Sequence, residues 1–288
     1  MDKDRRLTMS IRAILNKIFG LRVIFCLRYF RQRRRFPDLD NPKDYSEILI
    51  SRILSDEYLK FADLTDKVKV RDYVRAKGLD DILLEHYGHY DTFDQIDRDV
   101  LPEKFVLKTN RGASAKDVCI CTDKSTFDWD AARKKLEKGM KHQYEYEAHY
   151  NIIKPRIICE ELIDEGDGKM PVDYKFTCIE GKPASILVCT ERGIGEPRQC
   201  TFDTNWKPLP YIKSKYLPKQ LPQRPDQLER MTEIAGILSE DFEHVRVDLY
   251  EYKGRVFFSE LTFTPGCGIL YSYNRQAIDT IGEMFGGN

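Results

Sequence analysis

The run Val245-Arg246-Val247-Asp248-Leu249-Tyr250 alternates apolar and polar residues. A period of two belongs to an extended strand with one buried face. The polar stretch Glu251–Gly254 follows and ends in a glycine suited to a turn. The return, from about Arg255 to Thr262, places Phe258, Glu260 and Thr262 on one face. Folded back, Asp248 and Glu260 become neighbours on the same side of a sheet. Two carboxylates so close repel unless a cation lies between them. Mg²⁺ takes carboxylate oxygens together with substrate phosphates, and Arg246 beside them is suited to holding a phosphate. A surface hairpin in which Arg246 only neutralises its neighbours satisfies the same pattern, so the hairpin alone leaves both readings open.

Two further segments bear on the choice. Phe105-Val106-Leu107-Lys108-Thr109-Asn110-Arg111-Gly112-Ala113-Ser114-Ala115 reads as a strand running into a small-residue loop, and Val118-Cys119-Ile120-Cys121 as the returning strand. A lysine at a strand end before such a loop is well placed for phosphate oxygens, with loop N–H groups as further donors. An ordinary hairpin with an exposed lysine has the same appearance. Arg156-Ile157-Ile158-Cys159-Glu160-Glu161-Leu162-Ile163 reads as a short apolar strand ending in paired glutamates. A polar loop, Asp164–Lys169, separates it from another strand, Asp173-Tyr174-Lys175-Phe176-Thr177-Cys178-Ile179. A carboxylate in a strand-end linker can meet an adenine amino group while its backbone reads the ring edge. A plain edge strand with solvated glutamates is the alternative.

Taken in order, these blocks resemble the ATP-grasp superfamily, and within it the TupA-like branch, which is named for teichuronopeptide biosynthesis and common in bacterial surface-polysaccharide gene sets. The resemblance is carried by Asp66-Lys67, by Lys108-Thr109-Asn110-Arg111-Gly112, and by Lys154-Pro155-Arg156-Ile157-Ile158-Cys159-Glu160-Glu161. It continues through Asp173-Tyr174-Lys175-Phe176, Arg246-Val247-Asp248-Leu249-Tyr250 and Glu260-Leu261-Thr262-Phe263-Thr264-Pro265-Gly266. It runs from about Asn41 to the C-terminus, and the order of six blocks is more specific than any one of them.

The resemblance implies an α+β fold of two lobes, with ATP and magnesium held between antiparallel sheets. It implies that Lys67 and Lys108 reach ATP phosphates, with Asn110 and Gly112 of the same loop beside them. Glu160, Glu161, Leu162 and Ile163 correspond to the adenine-binding hinge, and Asp173 to a ribose contact. Lys175 and Arg192 correspond to further phosphate or acceptor contacts. Arg246 resembles the arginine that steadies the transferring phosphoryl group, and Asp248, Glu260 and Thr262 stand where the magnesium ligands stand. The sequence departs from the wider pattern at Thr262, where many members have asparagine. It departs from the branch pattern at Arg111, where the branch has histidine, and at Ala113-Ser114, where it has serine-glycine. Losing that glycine stiffens the loop, and Arg111 adds a charge that either compensates or faces the acceptor.

The implied activity is that of an ATP-dependent ligase. A carboxylate attacks the γ-phosphate to give an acyl phosphate and ADP, and an amine then displaces phosphate to form an amide. Positioning and charge neutralisation are the protein's share of such chemistry. The expected substrates are a carboxylate, such as a uronic acid of a capsule or wall polymer, and an amino acid or small amine. Two alternatives keep the nucleotide site: a kinase acting on a saccharide hydroxyl, and a non-catalytic nucleotide-binding scaffold of a polysaccharide assembly complex.

A chain of 288 residues with 41% hydrophobic residues holds one large domain or two lobes with a core of their own. Its net charge is zero but uneven. Residues 1–37 carry eleven Lys/Arg against Asp2 and Asp4, a local balance of +9, which leaves −9 for the rest. Ile11, Ile14, Leu15, Ile18 and Phe19 recur at helical spacing there, so residues 1–40 are expected to form a basic, amphipathic helical segment before a catalytic region at 41–288. It is too short and too charged to span a bilayer and lacks the cleavage pattern of a secretory signal. Three uses remain open: packing on the enzyme core with the basic face solvated, docking on an anionic membrane surface, or binding a polyanionic saccharide. Nucleic acid is not an expected partner, because the remainder is acidic and no recognised nucleic-acid motif appears. Eight cysteines, several inside apolar strands and none in a Cys-x-x-Cys pair, point to a reducing compartment. The expected location is the cytoplasm, at the inner face of the membrane if the basic segment docks there.

Helices are expected over Tyr45–Ser55, Asp66–Lys77, Ser125–Met140 and Pro225–Leu238, from apolar residues at helical spacing. Pro208–Pro225, with five prolines, is expected as an irregular loop. The smaller lobe is expected at about 67–139 and the larger at about 149–288.

Overall fold

The computed structural model describes residues 20–112, 116–164, 170–191 and 197–286. Among them the helices are α1 (residues 20–33), α2 (Tyr45–Leu54), α3 (Ala62–Thr65), α4 (Val70–Ala76), α5 (Trp129–Met140), α6 (His149–Ile152), α7 (Leu228–Ser239) and α8 (Arg275–Glu283). The described residues form two compact units, one within Met1–Tyr58 and Thr264–Asn288, the other within Leu59–Phe263. The sequence boundary at residue 40 does not coincide with this grouping.

In the first unit α1 buries Phe25 and Tyr29, one turn apart. Residues Ile11 to Phe19, expected to begin this helical segment, lie outside the described residues. The α2 helix is capped by Asp44, whose side chain accepts from Glu47 N while Glu47 reaches back, a capping box. Arg35 answers both buried carboxylates, at 2.6 Å from Asp44 and 2.7 Å from Glu47. Ala277, Ile278 and Ile281 of α8 are buried beside α2. Gly282 is glycine for a steric reason, since a Cβ there would overlap the Lys43 carbonyl and the Asp44 backbone.

The second unit is built on two antiparallel sheets. The smaller has the order β1 (His86–Tyr90), β4 (Ile157–Glu160), β2 (Phe105–Thr109), β3 (Val118–Cys121). Side chains alternate along β2. Phe105 and Leu107 join a core with Ala132 and Leu136 of α5, while Lys108 points to the opposite face. The β4 strand pairs with both β1 and β2, so it lies inside this sheet. The lobe limits expected from sequence put it with the larger lobe. Sequence periodicity identifies a strand but not its partners.

The larger sheet has the order β10 (Arg255–Thr262), β9 (His244–Tyr252), β5 (Asp173–Ile179), β6 (Lys182–Thr190), β7 (Arg198–Phe202), β8 (Pro208–Leu209). The α7 helix covers one face with Leu228, Met231, Ile234, Ala235 and Leu238, against β5, β6 and β9. The expected hairpin is present. Lys253 and Gly254 both take positive φ, 50° and 72°, as a two-residue turn between paired Tyr252 and Arg255 requires.

Four expectations need correction. First, Phe258 does not share a face with Glu260 and Thr262. Phe258 pairs with Leu249 and Glu260 with Asp248, so Ser259 is an extra residue that switches sides, and Phe258 is buried. Second, the helix expected over Asp66–Lys77 is interrupted. Asp66 is extended at φ −69° and ψ 114°, and its carboxylate accepts from Val68 N at 2.9 Å. That local bond holds the chain out of helix until Val70. Third, the helices expected from Ser125 and Pro225 begin at Trp129 and Leu228; Asp128 caps the former by accepting from Ala131 N at 2.9 Å. Fourth, part of the proline-rich loop is strand, since Pro208 and Leu209 pair with β7.

All eight cysteines are free thiols, and burial pushes Cys159, Cys178 and Cys200 up to about 12. Among the described residues no helix is long and apolar enough to cross a membrane.

Candidate functional site

The register of the larger sheet decides which side chains meet. Lys175 pairs with Asp248 and Asp173 with Tyr250; Asp248 pairs in turn with Glu260, and Arg246 with Thr262. Residues opposite each other point to the same face. Asp173, Lys175, Arg246, Asp248, Glu260 and Thr262 therefore share the face of β5, β9 and β10 opposite α7.

Their geometry is that of a closed ionic lattice. Asp248, with a side chain 0% exposed, accepts from Arg246 Nε at 2.7 Å on Oδ1 and from Arg246 Nη2 at 2.7 Å on Oδ2. Lys175 Nζ bonds the same Oδ2 and lies 2.6 Å from Asp173. Glu260 lies 3.3 Å from Lys67 and 3.5 Å from Arg246. Thr262 Oγ1 donates to Glu260 at 2.9 Å and accepts from Arg246 Nη2 at 3.1 Å. Three cations thus answer three carboxylates. Burial opposes charge on Lys175 and Arg246, but the carboxylates outweigh it and hold both pKa values above the ordinary range. Burial likewise opposes charge on Glu260, yet Lys67, Lys175 and Arg246 hold its carboxyl well below the usual glutamate range.

Lys67 reaches this face because of the break before α4. Its backbone N–H donates to Asn110 O at 2.9 Å, and its Nζ donates to Gly112 O at 2.8 Å. Lys67 therefore ties the loop after β2 to Glu260. On the smaller sheet, Lys108 is ion-paired with Glu160 across neighbouring strands. Glu161 N donates to Glu85 O at 3.0 Å, and Ile163 is buried with Leu84 and Phe257. Leu162 is half-buried between them.

Some expected site residues are occupied elsewhere. Asn110 is fully buried. Its amide donates to Asp66 at 2.9 Å and Lys154 O at 3.0 Å, and its oxygen accepts from Arg156 N at 2.8 Å. It fastens three segments together and has no donor left for a phosphate. Arg111 does not face outward either. Its guanidinium is buried and donates to the carbonyls of Met140, His142 and Tyr150 at 2.7, 3.0 and 3.1 Å. That places a cation at the C-terminal end of α5, where the helix dipole favours it. Gly112 packs on Asp117, and a Cβ would collide with that carboxylate. Thr262 spends its hydroxyl on Glu260 and Arg246, which orients the carboxylate. Arg192 and Ala113–Ala115 lie outside the described residues.

Sequence reasoning missed Asp117. It is buried, accepts from Thr109 Oγ1 and has a raised pKa, chiefly through burial. Nothing in the sequence separates it from the many solvated acids. A cavity of about 780 Å³ lies at the turn end of the β9–β10 hairpin, lined by Tyr174, Tyr252, Lys104 and Arg224 among others. None of the ionic lattice lines it.

The arrangement offers four cations, Lys67, Lys108, Lys175 and Arg246, to an anionic ligand, and hard carboxylate oxygens to a hard cation. The described residues contain no group of three or more His, Cys, Asp or Glu able to hold a metal by themselves. Asp248 and Glu260 suit a cation such as Mg²⁺, which draws its remaining ligands from phosphate and water.

Comparison with known proteins adds a family. The TupA-like ATPgrasp model matches residues 47–286. No curated protein matches the sequence. Among solved structures, similarity is found to L-amino acid ligase from Bacillus licheniformis at TM-score 0.48 and 15% identity, covering 78% of this chain and 50% of that one. D-alanine–D-alanine ligase from Bacillus anthracis is similar at TM-score 0.46 and 18% identity, over 77% of this chain and 66% of that one. The Helicobacter pylori D-alanine–D-alanine ligase gives 0.42 and 14%, over 77% and 60%. The chain spans between half and two thirds of the length of these structures.

Proposed function

Since the chain belongs to the TupA-like ATP-grasp family, we propose that it is an ATP-dependent ligase that joins a carboxylate to an amine with formation of ADP and phosphate. The observation that carries this reading is the ionic lattice: three carboxylates and three cations on one partly buried sheet face, with Lys108 on the other sheet. Such a face has little structural value, since apolar residues of the same volume hold a sheet together as well. It has a clear chemical value, because the oxygens of a triphosphate can take over the cations, and a divalent cation the carboxylates, that now hold one another.

The roles are assigned from the family resemblance. Lys67 and Lys108 neutralise phosphates, Arg246 and Lys175 the charge that develops on the transferred phosphoryl group, and Arg192, which lies outside the described residues, serves as an acceptor contact. Asp248 and Glu260 would hold magnesium, with Thr262 orienting Glu260. Glu160 to Ile163 contact adenine, and Asp173 the ribose side. The bound metal supplies charge neutralisation across the phosphates. No nucleophilic side chain is required, because ATP activates the carboxylate. The carboxylate substrate is a uronic acid or related saccharide acid of a surface polymer, and the amine an amino acid or small amine; this last step rests on the family's surface-polysaccharide association.

The test is incubation with ATP, Mg²⁺ and a panel of uronic acids crossed with amino acids and amines, followed by mass spectrometry. An amide product with phosphate released, lost in Asp248→Asn, is the expected result. Phosphate retained on a sugar would replace the ligase by a kinase. Absence of Mg²⁺-dependent ATP binding would end the enzyme reading.

A further inference from the structure

The outer face of α1 is not the solvated basic surface expected of a helix packed on the enzyme. Its inner face is accounted for: Phe25 and Tyr29 are buried, and Arg33 donates to Tyr273 O at 2.8 Å and to the carbonyls of Ile269 and Leu270 at 3.3 Å. Turned away from these, Val23, Leu27 and Phe30 follow at i, i+4 and i+7 and are 39%, 51% and 38% exposed. Arg34, at φ 61°, ends the helix and turns the chain back so that Phe36 stacks on Phe30 with centroids 4.8 Å apart. Phe36 is itself 61% exposed. The apolar stripe is flanked by arginines. Arg22 stands on one side, paired with Asp40 at 2.7 Å. Arg31 and Arg34 stand on the other, exposed and without an ion pair among the described residues.

We propose that this face of α1 docks on an anionic lipid surface, with Val23, Leu27, Phe30 and Phe36 entering the headgroup boundary and Arg31 and Arg34 meeting lipid phosphates. A helix with an apolar stripe edged by arginines is suited to lying in the plane of a bilayer surface. Charge selects among occupants. A second copy of the chain would bring one arginine-flanked face against another. A polyanionic saccharide would answer the arginines and leave four large apolar side chains in water. An anionic membrane answers both, and the +9 balance of residues 1–37 adds long-range attraction to it. The inference is independent of the ligase reading, because no residue of the ionic lattice takes part.

The experiment is sedimentation of the full chain with phosphatidylcholine vesicles, with and without phosphatidylglycerol, across a salt series. Binding is expected only with phosphatidylglycerol, weakening as salt rises. The double variant Leu27→Asn/Phe30→Asn should lose about tenfold or more in partitioning. Arg31→Gln/Arg34→Gln should lose partitioning and flatten the salt dependence. All four positions are exposed, so both variants should keep the parent unfolding midpoint, measured alongside. The proposal is overturned if the parent ignores phosphatidylglycerol vesicles, or if binding survives both double variants. It is equally overturned if the stripe instead drives self-association in lipid-free sedimentation, or if a sulfated polysaccharide binds with the same dependence on Arg31 and Arg34 and none on Leu27 and Phe30.

Discussion

Replacing Asp248 by asparagine tests whether the sheet face is a charge-matched lattice waiting for a nucleotide. Asp248 has no solvent exposure and takes both N–H groups of the Arg246 fork at 2.7 Å together with Lys175. Asparagine keeps the shape and one acceptor oxygen but removes the charge. Asp173 and Glu260 then face Lys67, Lys175 and Arg246, leaving one cation unmatched. Removing one partner of a buried ion pair costs about 3–5 kcal/mol, and the retained amide oxygen argues for the lower end, about 3 kcal/mol. For a chain of this size, at roughly 2 °C per kcal/mol, the unfolding midpoint should fall by about 6 °C. ATP without magnesium should raise the midpoint of the variant more than that of the parent, because the triphosphate meets excess positive charge, and added Mg²⁺ should contribute less. The assay is thermal unfolding by circular dichroism with ATP and Mg²⁺ varied separately. A midpoint within 1 °C of the parent, together with an unchanged magnesium effect, would refute the lattice argument.

Lys108→Met removes the cation paired with Glu160 and should weaken Mg²⁺-ATP binding by about tenfold or more, as a lost charge-assisted contact of 1.5–3 kcal/mol implies, read by calorimetry. Arg111→Met leaves three buried carbonyls without their donor and should lower stability by about 2–4 kcal/mol in denaturant titration, with nucleotide binding measured at low denaturant retained, since the side chain faces inward. His149 is buried, and burial lowers its pKa to about 4. A histidine with a depressed folded pKa is neutral in the fold and protonated in the unfolded chain between about 6.5 and 4, so its contribution is whole above 6.5 and lost as pH falls toward 4. His149→Phe should flatten that part of the stability–pH curve by up to about 3 kcal/mol. Gly112→Ala drives a methyl group into the Asp117 carboxylate and should weaken ATP binding by displacing the carbonyl that holds Lys67; an unchanged affinity would show that the loop absorbs the methyl.

What the sequence determined by itself is the local part. Strict alternation located β9, and with the return strand it put Asp248, Glu260 and Arg246 on one face, because a period of two assigns faces wherever a strand is regular. Lys175 was legible as part of the order of family blocks. The tertiary structure alone decided the rest. Ser259 breaks the alternation and sends Phe258 inward, and no residue pattern marks an inserted position whose place depends on the partner strand's register. The placing of β4 between β1 and β2 depends on hydrogen bonds to strands far away in sequence. Arg111 and Lys67 are both cations near one loop, yet one is drawn inward by three carbonyls and the other is delivered to Glu260 by a break at Asp66. A charged side chain carries no signal of which buried partner will satisfy it, because that partner exists only once distant segments have packed.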